Sequence, residues 1–565
     1  MSSSIITKTR KKNKAIESSL IESGINKNLA SILSARDICS VNDLNYELNK
    51  LLPFQDLHSI ELAADFLLDF VINKKKILII GDYDADGATA SACAVRGLRA
   101  FGANVDFLVP NRFEYGYGLT PEIVDLAVTK SPELIITVDN GIASYEGVKK
   151  ARDYGIQVIV TDHHLPGEFL PDANFIINPN QSDCNFKSKH LCGVGVIFYL
   201  LMALKSKAKA QKIFDENNEP KLSQLLDLVC LGTIADLVKL DFNNRLLVEF
   251  GMQIIRSGRG NHGIRAIAHL SNRELHKLKT SDLSFAVAPK LNAAGRLEDM
   301  TLGIRCLLAE SFEEALELAR QLINLNDKRR EIEREMKEDA LQMTLEVPLQ
   351  DSFSISLFNE KWHQGVIGIL ASRIKEQYHR PTFIFAKDDS GRLKGSGRSI
   401  ANLHLRDALD LVSKKHKDLL IAFGGHAMAA GVTIEAHNFS KFEKAFESVA
   451  HMLLTPNDLN QELEIDESLL NQISIDDIDL INKQIWGQGF TQPIFKDSFE
   501  LLHQKVVANK HLKCFLKLGE RDFEAIYFNH DTLLPDKIEA VYGVDVNEFH
   551  GQRNIQLTIR QLINE

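Results

Sequence analysis

Four apolar runs in the first half of the chain each end on acidic residues or histidine. Ile77-Leu78-Ile79-Ile80 leads through Gly81 into Asp82-Tyr83-Asp84-Ala85-Asp86-Gly87. Leu134 to Val138 leads into Asp139-Asn140-Gly141, and Val158 to Thr161 into Asp162-His163-His164. Leu228 to Ala235 leads into Asp236. The first three runs are short, rich in β-branched residues and bounded by Gly or polar residues, the pattern of strands buried on both faces. The stretches between them, such as Ala88 to Phe101 and Pro121 to Thr129, carry helical periodicity. Strands alternating with helices predict an α/β fold with a doubly wound parallel sheet. Ligands of such sheets bind at the carboxyl ends of the strands, where the acidic clusters fall.

The rest of the pattern divides the chain. Residues 1 to about 74 read as a helical extension without a legible motif, attached to a sheet domain that ends near 310. Ser311 and Glu314 form a capping-box signature opening a long amphipathic helix through about Gln342, so 311–345 is expected to be a connector. The charged stretch Asp327 to Glu338 is expected to be a solvated face. A second α/β unit, 350–455, holds a strand-like Phe353 to Leu357, then Trp362 to Gly368, then two glycine-rich motifs. In 456–565, alternating segments at Cys514–Leu518, Phe523–Phe528, Glu539–Val544 and Ile555–Ile559 predict a small antiparallel β-barrel.

At 565 residues the chain exceeds a single core, and roughly three to four domains are expected. Hydrophobic content of 44% and charged content of 25% are those of an ordinary globular protein. The apolar stretch Val194 to Leu204 is too short to cross a bilayer. Met1 to Ala15 is polar and basic, unlike a secretory signal. Seven scattered cysteines without a Cys-x-x-Cys argue for reduced thiols in the cytoplasm, with Cys192 and Cys230 packed in the core. A net charge of −10 does not announce a nucleic-acid binder, although basic residues can still form a local groove.

The chemistry lies in Asp82, Asp84, Asp86, Asp139, His163, His164 and Asp236. Side chains two apart on an extended segment share a face, so Asp82, Asp84 and Asp86 are expected to crowd three carboxylates together. Each Asp taken singly is as well explained as a helix cap. Together they form an oxygen-rich set with imidazole and no thiolate, which suits Mn²⁺ or Mg²⁺ better than structural zinc. The surplus of carboxylates suggests two ions sharing a bridging ligand. Two such ions roughly 3.5–4 Å apart can activate water and stabilise both oxygens of a phosphate displacement. Gly395-Ser396-Gly397-Arg398-Ser399 combines flexible backbone, hydroxyls and a guanidinium, a combination that can cradle phosphate or form a plain turn. In Gly424 to Gly431, His426 could contact phosphate or pack in a tight turn. Lys505, Lys510, His511, Lys513 and Lys517 lie near Phe515, Phe523, Tyr527 and Phe528, which suits single-strand binding by charge and stacking as well as it suits a barrel core with solvated lysines.

Gly81 to Gly87, Val138 to Gly141 and Thr161 to His164, followed by Gly232 to Val238, Asn292-Ala293-Ala294-Gly295-Arg296, Gly395 to Ser399 and Gly424 to Gly431, resemble the DHH phosphoesterase superfamily. Within it the chain resembles the RecJ group of single-strand-specific DNA exonucleases. The resemblance implies a DHH domain, a DHH-associated domain and a C-terminal OB-fold. It implies Asp84 and Asp86 each reaching one metal, Asp139 bridging, and His163 with Asp236 completing the second site. It places His164 near metal or scissile phosphate and Asp162 behind an imidazole, fixing its tautomer. Arg112, Arg296, Ser396, Arg398 and His426 are the implied substrate contacts. Many relatives carry His where this chain has Ile80, which leaves Asp82 as the candidate replacement ligand. The implied activity is 5′-to-3′ hydrolysis of single-stranded DNA to 5′-mononucleotides by two divalent ions, in recombination and repair. A monomer working with a single-stranded DNA-binding protein and a helicase is implied. The rivals are a DHH phosphodiesterase for cyclic dinucleotides or short oligoribonucleotides, which the length disfavours, and a non-catalytic replication scaffold, which the intact carboxylates disfavour.

Overall fold

The computed structural model describes residues 5–215, 218–345, 351–549 and 551–563, without the side chains at 112, 113 and 549. Two compact units are formed from interleaved segments. One comprises Lys11–Asn326 with Ser468–Leu562, and the other Asp327–Glu467 with residues 5–10.

The first unit is built on a five-stranded parallel sheet ordered Asn104–Leu108, Lys76–Gly81, Leu134–Val138, Gln157–Thr161, Phe175–Ile177. The three runs expected as strands are its three central ones. Their side chains are buried on both faces between helices, which is why they read as continuous apolar runs. Asn104–Leu108 and Phe175–Ile177 are edge strands with mixed burial, so neither leaves such a run. Lys76–Gly81, the first of these five strands in sequence, has Asn104–Leu108 on one side and Leu134–Val138 on the other. The strand order therefore reverses beside Gly81 and Val138, which face each other in register. A crevice opens at such a switch point.

The fourth apolar run, for which no strand is expected, is a helix. Leu226–Ala235 is a helix buried from Leu226 to Ile234, and Asp236 caps its carboxyl end. A helix buried all round carries no amphipathic period to separate it from a strand. The N-terminal reading needs correction. Lys14–Glu22, Lys27–Leu33 and Ile60–Ile72 are helices, but Ile5–Thr9 is a strand. It pairs in parallel with Gln461–Ile465, a partner too distant in sequence to leave a local signal.

The helix Phe312–Leu345 contributes residues to both units. Ser311 Oγ accepts a hydrogen bond from the Glu314 amide (3.1 Å), while Glu314 reaches back to the Glu310 amide (3.1 Å), one residue beyond a standard capping box. The charged stretch is not simply solvated. Arg329 and Glu333 form a largely buried ion pair at 3.2 Å, and Glu333 also accepts from Arg373 at 3.1 Å. In the second unit a mixed sheet runs Ala422–Gly425, Ala429–Ile434, Leu393–Arg398, Thr382–Lys387, Ile355–Phe358.

The C-terminal barrel closes in the order Phe495–Val507, His511–Leu518, Arg521–Tyr527, Gln552–Ile563, Lys537–Phe549. It is not wholly antiparallel, because Arg521–Tyr527 and Gln552–Ile563 pair in parallel. Its apolar interior, including Phe495, Leu512 and Tyr542, is continuous with the core that holds Ile79, Leu98 and Leu231. Lys279 pairs with Asp545 (2.8 Å), Thr280 donates to the Trp486 carbonyl (2.6 Å) and Arg36 to that of Thr491 (2.8 Å). All seven cysteines are free, and all but Cys39 are buried.

The segment Asn292 to Arg296 falls in the helix Ala288–Leu297 and supports the first acidic cluster from behind. Asn292 Oδ1 accepts from the Ala85 amide at 2.8 Å. A Cβ on Gly295 would lie inside van der Waals contact of the Tyr83 carbonyl. Gly295→Ala must push two backbones apart. It is expected to cost about 1–3 kcal/mol, the usual cost of overpacking. A lowered midpoint in denaturant unfolding would bear this out, whereas a parent-like midpoint would show that the contact relaxes freely.

Candidate metal centre

The seven proposed ligands converge at the switch point. They form three overlapping groups, Asp82–Asp84–Asp139, Asp139–His163–His164 and Asp86–His163–Asp236, with one ligand atom per residue within 4.8 Å of the others in each. Asp139 belongs to two groups, and so does His163. The convergence does not come from side chains alternating along one extended segment. Asp84 is the N-cap of the helix Ala85–Ala100, so Asp86 already lies in the first helical turn and joins a different group from Asp82. The capping role does not remove Asp84 from the cluster: its Oδ1 accepts from the Gly87 amide at 3.0 Å, and the carboxylate still joins Asp82 and Asp139.

Local backbone fixes each donor. Asp139 holds a left-handed conformation (φ 62°), sparsely populated for residues with a side chain. Its amide donates to the Thr161 carbonyl (3.0 Å), and Asn140 Nδ2 donates to the carbonyls of Ile80 (3.1 Å) and Val138 (2.9 Å), tying neighbouring strand ends together. Asp86, 1% exposed, accepts from the amides of Gly193 (2.6 Å) and Val194 (3.0 Å) at the start of the helix Gly193–Ala210. That helix thereby turns its positive end on the cluster. A Cβ at Gly193 would collide with the Asp139 carboxylate. Nothing in the local pattern around Gly193 pointed to this support. Ile80 is fully buried in an apolar cluster with Leu78 and Ile135 and offers no donor, while Asp82 stands in the first group.

Asp162 sits behind the histidines. Its Oδ1 accepts from the amides of His163 (2.7 Å) and His164 (3.1 Å) and meets His164 Nδ1 at 2.7 Å, while Oδ2 accepts from the Ile142 amide (2.9 Å). Burial alone would raise its pKa, but these bonds and the histidine charges hold it below the usual carboxylate range. For His164, burial works downward, yet the hydrogen bond and charge of Asp162, with Asp82 and Asp236, push it up to about 9. Asn180 and Asn178 fix the carbonyls of His163 and His164 at 2.5 and 2.9 Å. Tyr117 stands at the rim, 49% exposed, with Oη 3.3 Å from His164 Nε2 and its ring edge-on to Tyr83. Neither tyrosine stood out in the sequence, where both blend into glycine- and charge-rich motifs.

The donor set fits divalent cations. Asp139 Oδ1 is buried and accepts no hydrogen bond, yet lies 3.1 Å from His163 Nε2, and Asp236 Oδ2 lies 3.6 Å from the same nitrogen. Burial first, then mutual repulsion, raises Asp86 to about 7 and drives Asp139 and Asp236 well above the usual carboxylate range. Buried carboxylates so crowded call for a counter-charge.

The remaining candidates are distributed between the two units. Arg296 is half-buried on the helix that carries Asn292 and Gly295. The side chain of Arg112 lies outside the described residues. In the other unit, the segment from Gly395 is neither a turn nor a flexible loop but the strand Leu393–Arg398, with Ser399 just beyond it. Its glycines make room for rings, since a Cβ on Gly395 or Gly397 would strike Phe385 or Phe383. Ser396 and Arg398 alternate with them on the opposite face, 3.2 Å apart, where a Cβ on Gly368 would come within 3.0 Å of both. The ladder uses the backbone amides, so phosphate would be met by side chains. His426 is exposed in the turn after Ala422–Gly425, not packed in it. In the barrel, Phe515 (39%) and Phe528 (51%) are exposed, whereas Phe523 is core.

Residues 76–233 match the N-terminal domain of the DHH family, 350–452 the DHHA1 domain and 465–561 the RecJ OB domain. The chain is 45% identical to the single-stranded-DNA-specific exonuclease RecJ of Salmonella typhimurium, over 94% of this chain and 95% of that protein. The crystal structure of RecJ in complex with Mn²⁺ from Thermus thermophilus superposes on the whole chain and 80% of its own length, with a TM-score of 0.83 and 28% identity. The corresponding Mg²⁺ complex gives 0.76 at 26% identity, with 78% of its length covered. Identity at that level along nearly all of both sequences, with the three domain matches in order, means that the chain belongs to the RecJ family of DHH proteins.

Proposed function

We propose that this chain is a divalent-metal-dependent exonuclease that degrades single-stranded DNA from the 5′ end to 5′-mononucleotides. The observation that carries the proposal is the gathering of seven oxygen and imidazole donors at the switch point, with Asp139 shared between groups, in a chain so similar to single-stranded-DNA-specific exonucleases. Asp82, Asp84 and Asp139 would hold one ion, and Asp86, His163 and Asp236 the other, with Asp139 between them. Bound Mn²⁺ or Mg²⁺ supplies Lewis acidity toward water and charge neutralisation on the phosphate.

The chain's own residues do the positioning. Asp162, 2.7 Å from His164 Nδ1, would hold a proton on that nitrogen and fix the orientation of the ring. His164 stands in the group with Asp139 and His163, where its imidazole would meet either an ion or a phosphate oxygen. Tyr117 and Tyr83 offer ring surface for the base beside the scissile bond. Ser396 and Arg398 present a hydroxyl and a guanidinium suited to a terminal 5′-phosphate, with Arg112, Arg296 and His426 as further substrate contacts. The exposed Phe515, beside Lys513, gives the barrel a place for single-strand bases. A role in recombination and repair in the cytoplasm, with a single-stranded DNA-binding protein and a helicase as partners of a monomer, follows from the family likeness and is open to co-purification.

Asp139→Ala is expected to abolish hydrolysis of a labelled single strand at saturating Mn²⁺, while the circular dichroism spectrum stays that of the parent. Asp139→Asn, which tolerates the left-handed backbone better, should be equally inactive. Activity within a few-fold of the parent would remove Asp139 from the centre.

Metal affinity should follow the raised carboxyls. Asp86, at about 7 against an ordinary 3.8, holds a proton in the metal-free fold that the unfolded chain has already lost. The stability that Asp86 contributes to the metal-free protein is therefore lost as pH rises from about 4 through 7. Cation binding must displace that proton. Calorimetric titration with Mn²⁺ should show affinity strengthening from pH 6 to 8 with proton release, and a pH-independent affinity would contradict the assignment.

Arg398→Ala should raise KM for 5′-phosphorylated strands, at a ΔΔG‡ of roughly 1.5–3 kcal/mol for a lost charge-assisted contact. The penalty should be much smaller on 5′-hydroxyl strands. Equal losses on both substrates would move Arg398 to scissile-phosphate or structural support.

A further inference from the structure

A cavity of about 620 Å³ lies in the unit that carries Ser396 and Arg398, and none of the metal ligands or substrate contacts proposed above lines it. It sits where the turn from His416 to Leu419 approaches Ala422–Gly425 and where Ala429–Ile434 leads on to the helix Phe439–Leu453. His426 is in the turn at the opposite end of that hairpin. The volume falls within the roughly 300–1,000 Å³ of small-molecule sites.

The walls of the cavity are cationic, in a chain of net charge −10. Lys417 comes from the turn, and Lys441 and Lys444 come from the helix, three residues apart on one face. None of the three has an ion-pair partner among the described residues. The imidazoles of His416 and His437 add further polar groups, and Leu419 and Ala445, 5% and 3% exposed, close the floor.

Asn438 points to a ligand. It is 8% exposed, lines the cavity and stands as the N-cap of Phe439–Leu453, yet its side chain does not cap that helix. No described residue makes a hydrogen bond to its side-chain amide. A buried amide left unpaired is costly, and a ligand in the cavity would satisfy it. The helix turns its positive end on the same space, which favours an anion.

The charge is a spot and not a track. Asp418 interrupts it within the cavity, and Glu435, paired with Arg392 at 3.6 Å, and Glu443 flank the residues that line it. A single strand needs a basic groove with rings to stack on, and no Phe, Tyr or Trp is among the lining residues. A short, highly charged anion fits better.

We propose that this cavity is an anion site, distinct from the one at Ser396 and Arg398, that binds a compact chain of linked phosphates, free or carried by a nucleotide. Lys417, Lys441 and Lys444 meet the phosphate oxygens, and the Asn438 amide donates at the base.

The test is calorimetric titration of the full chain at low salt, with chelator present to keep divalent cations from the metal centre. The probes are tripolyphosphate, dATP and dAMP. Saturable binding of tripolyphosphate and dATP is expected, with dAMP at least tenfold weaker. The K441A/K444A double substitution should weaken tripolyphosphate at least tenfold. So should Asn438→Asp, which keeps the shape of the side chain and remains a favoured cap but sets a negative charge against the ligand. Both variants should keep the parent's unfolding midpoint and its turnover on saturating single-stranded DNA. Equal affinity for tripolyphosphate and dATP would assign the site to the phosphate chain alone, whereas tighter dATP would assign it to a nucleotide. Absence of saturable binding, equal affinity for dAMP and dATP, or parent-like affinity in either variant would overturn the proposal. So would a loss of single-strand affinity in the variants without loss of tripolyphosphate binding, which would make the cavity a nucleic-acid surface.

Discussion

Buried negative charge is the constraint around which the first unit is arranged. Asp82, Asp86 and Asp139 are all nearly inaccessible and stand within one small volume with Asp84 and Asp236. In a low-dielectric interior such groups repel strongly unless donors or cations oppose them. The fold supplies part of the opposition itself. The first amides of the helix Gly193–Ala210 hold Asp86, the Gly87 amide holds Asp84, and Asp162 anchors both histidines. Burial and the remaining repulsion hold the carboxyls of Asp139 and Asp236 well above their usual range, and a divalent cation would relieve both.

Close packing serves the same end. Gly193 lets a helix terminus reach the Asp139 carboxylate, and Gly295 lets a second helix touch the Tyr83 backbone. The glycines at 395 and 397 play a different part, seating the rings of Phe385 and Phe383 so that Ser396 and Arg398 stand on the free face of their strand. Conformational freedom is not what these four positions need; the absence of a side chain is.

The sequence was most legible where burial is symmetric. The central strands announced themselves because both faces are covered, and the clustered Asp and His residues, Asp236 apart, follow those strands directly. Legibility failed where the signal was non-local or ambiguous. The helix Leu226–Ala235 is buried all round, and Ile5–Thr9 becomes a strand only through Gln461–Ile465. Asp82, Asp84 and Asp86 were identified as a set, but their convergence rests on a helix starting midway through the motif. Tyr117, Gly193, Asn178 and Asn180 act through tertiary placement that no spacing rule encodes.

The interleaving of the two units bears on how the protein is made. A ribosome extends a chain at roughly 5–20 residues per second, and domains tend to fold as their last residues emerge. Here the sheet-bearing unit draws its closing segment, Ser468–Leu562, from beyond the whole of the other unit, and Ile5–Thr9 must wait for Gln461–Ile465. Neither unit has all of its segments until synthesis has passed residues 461–467. The nascent chain therefore carries uncovered core surface and an unpaired strand edge for tens of seconds, the interval in which chaperones act.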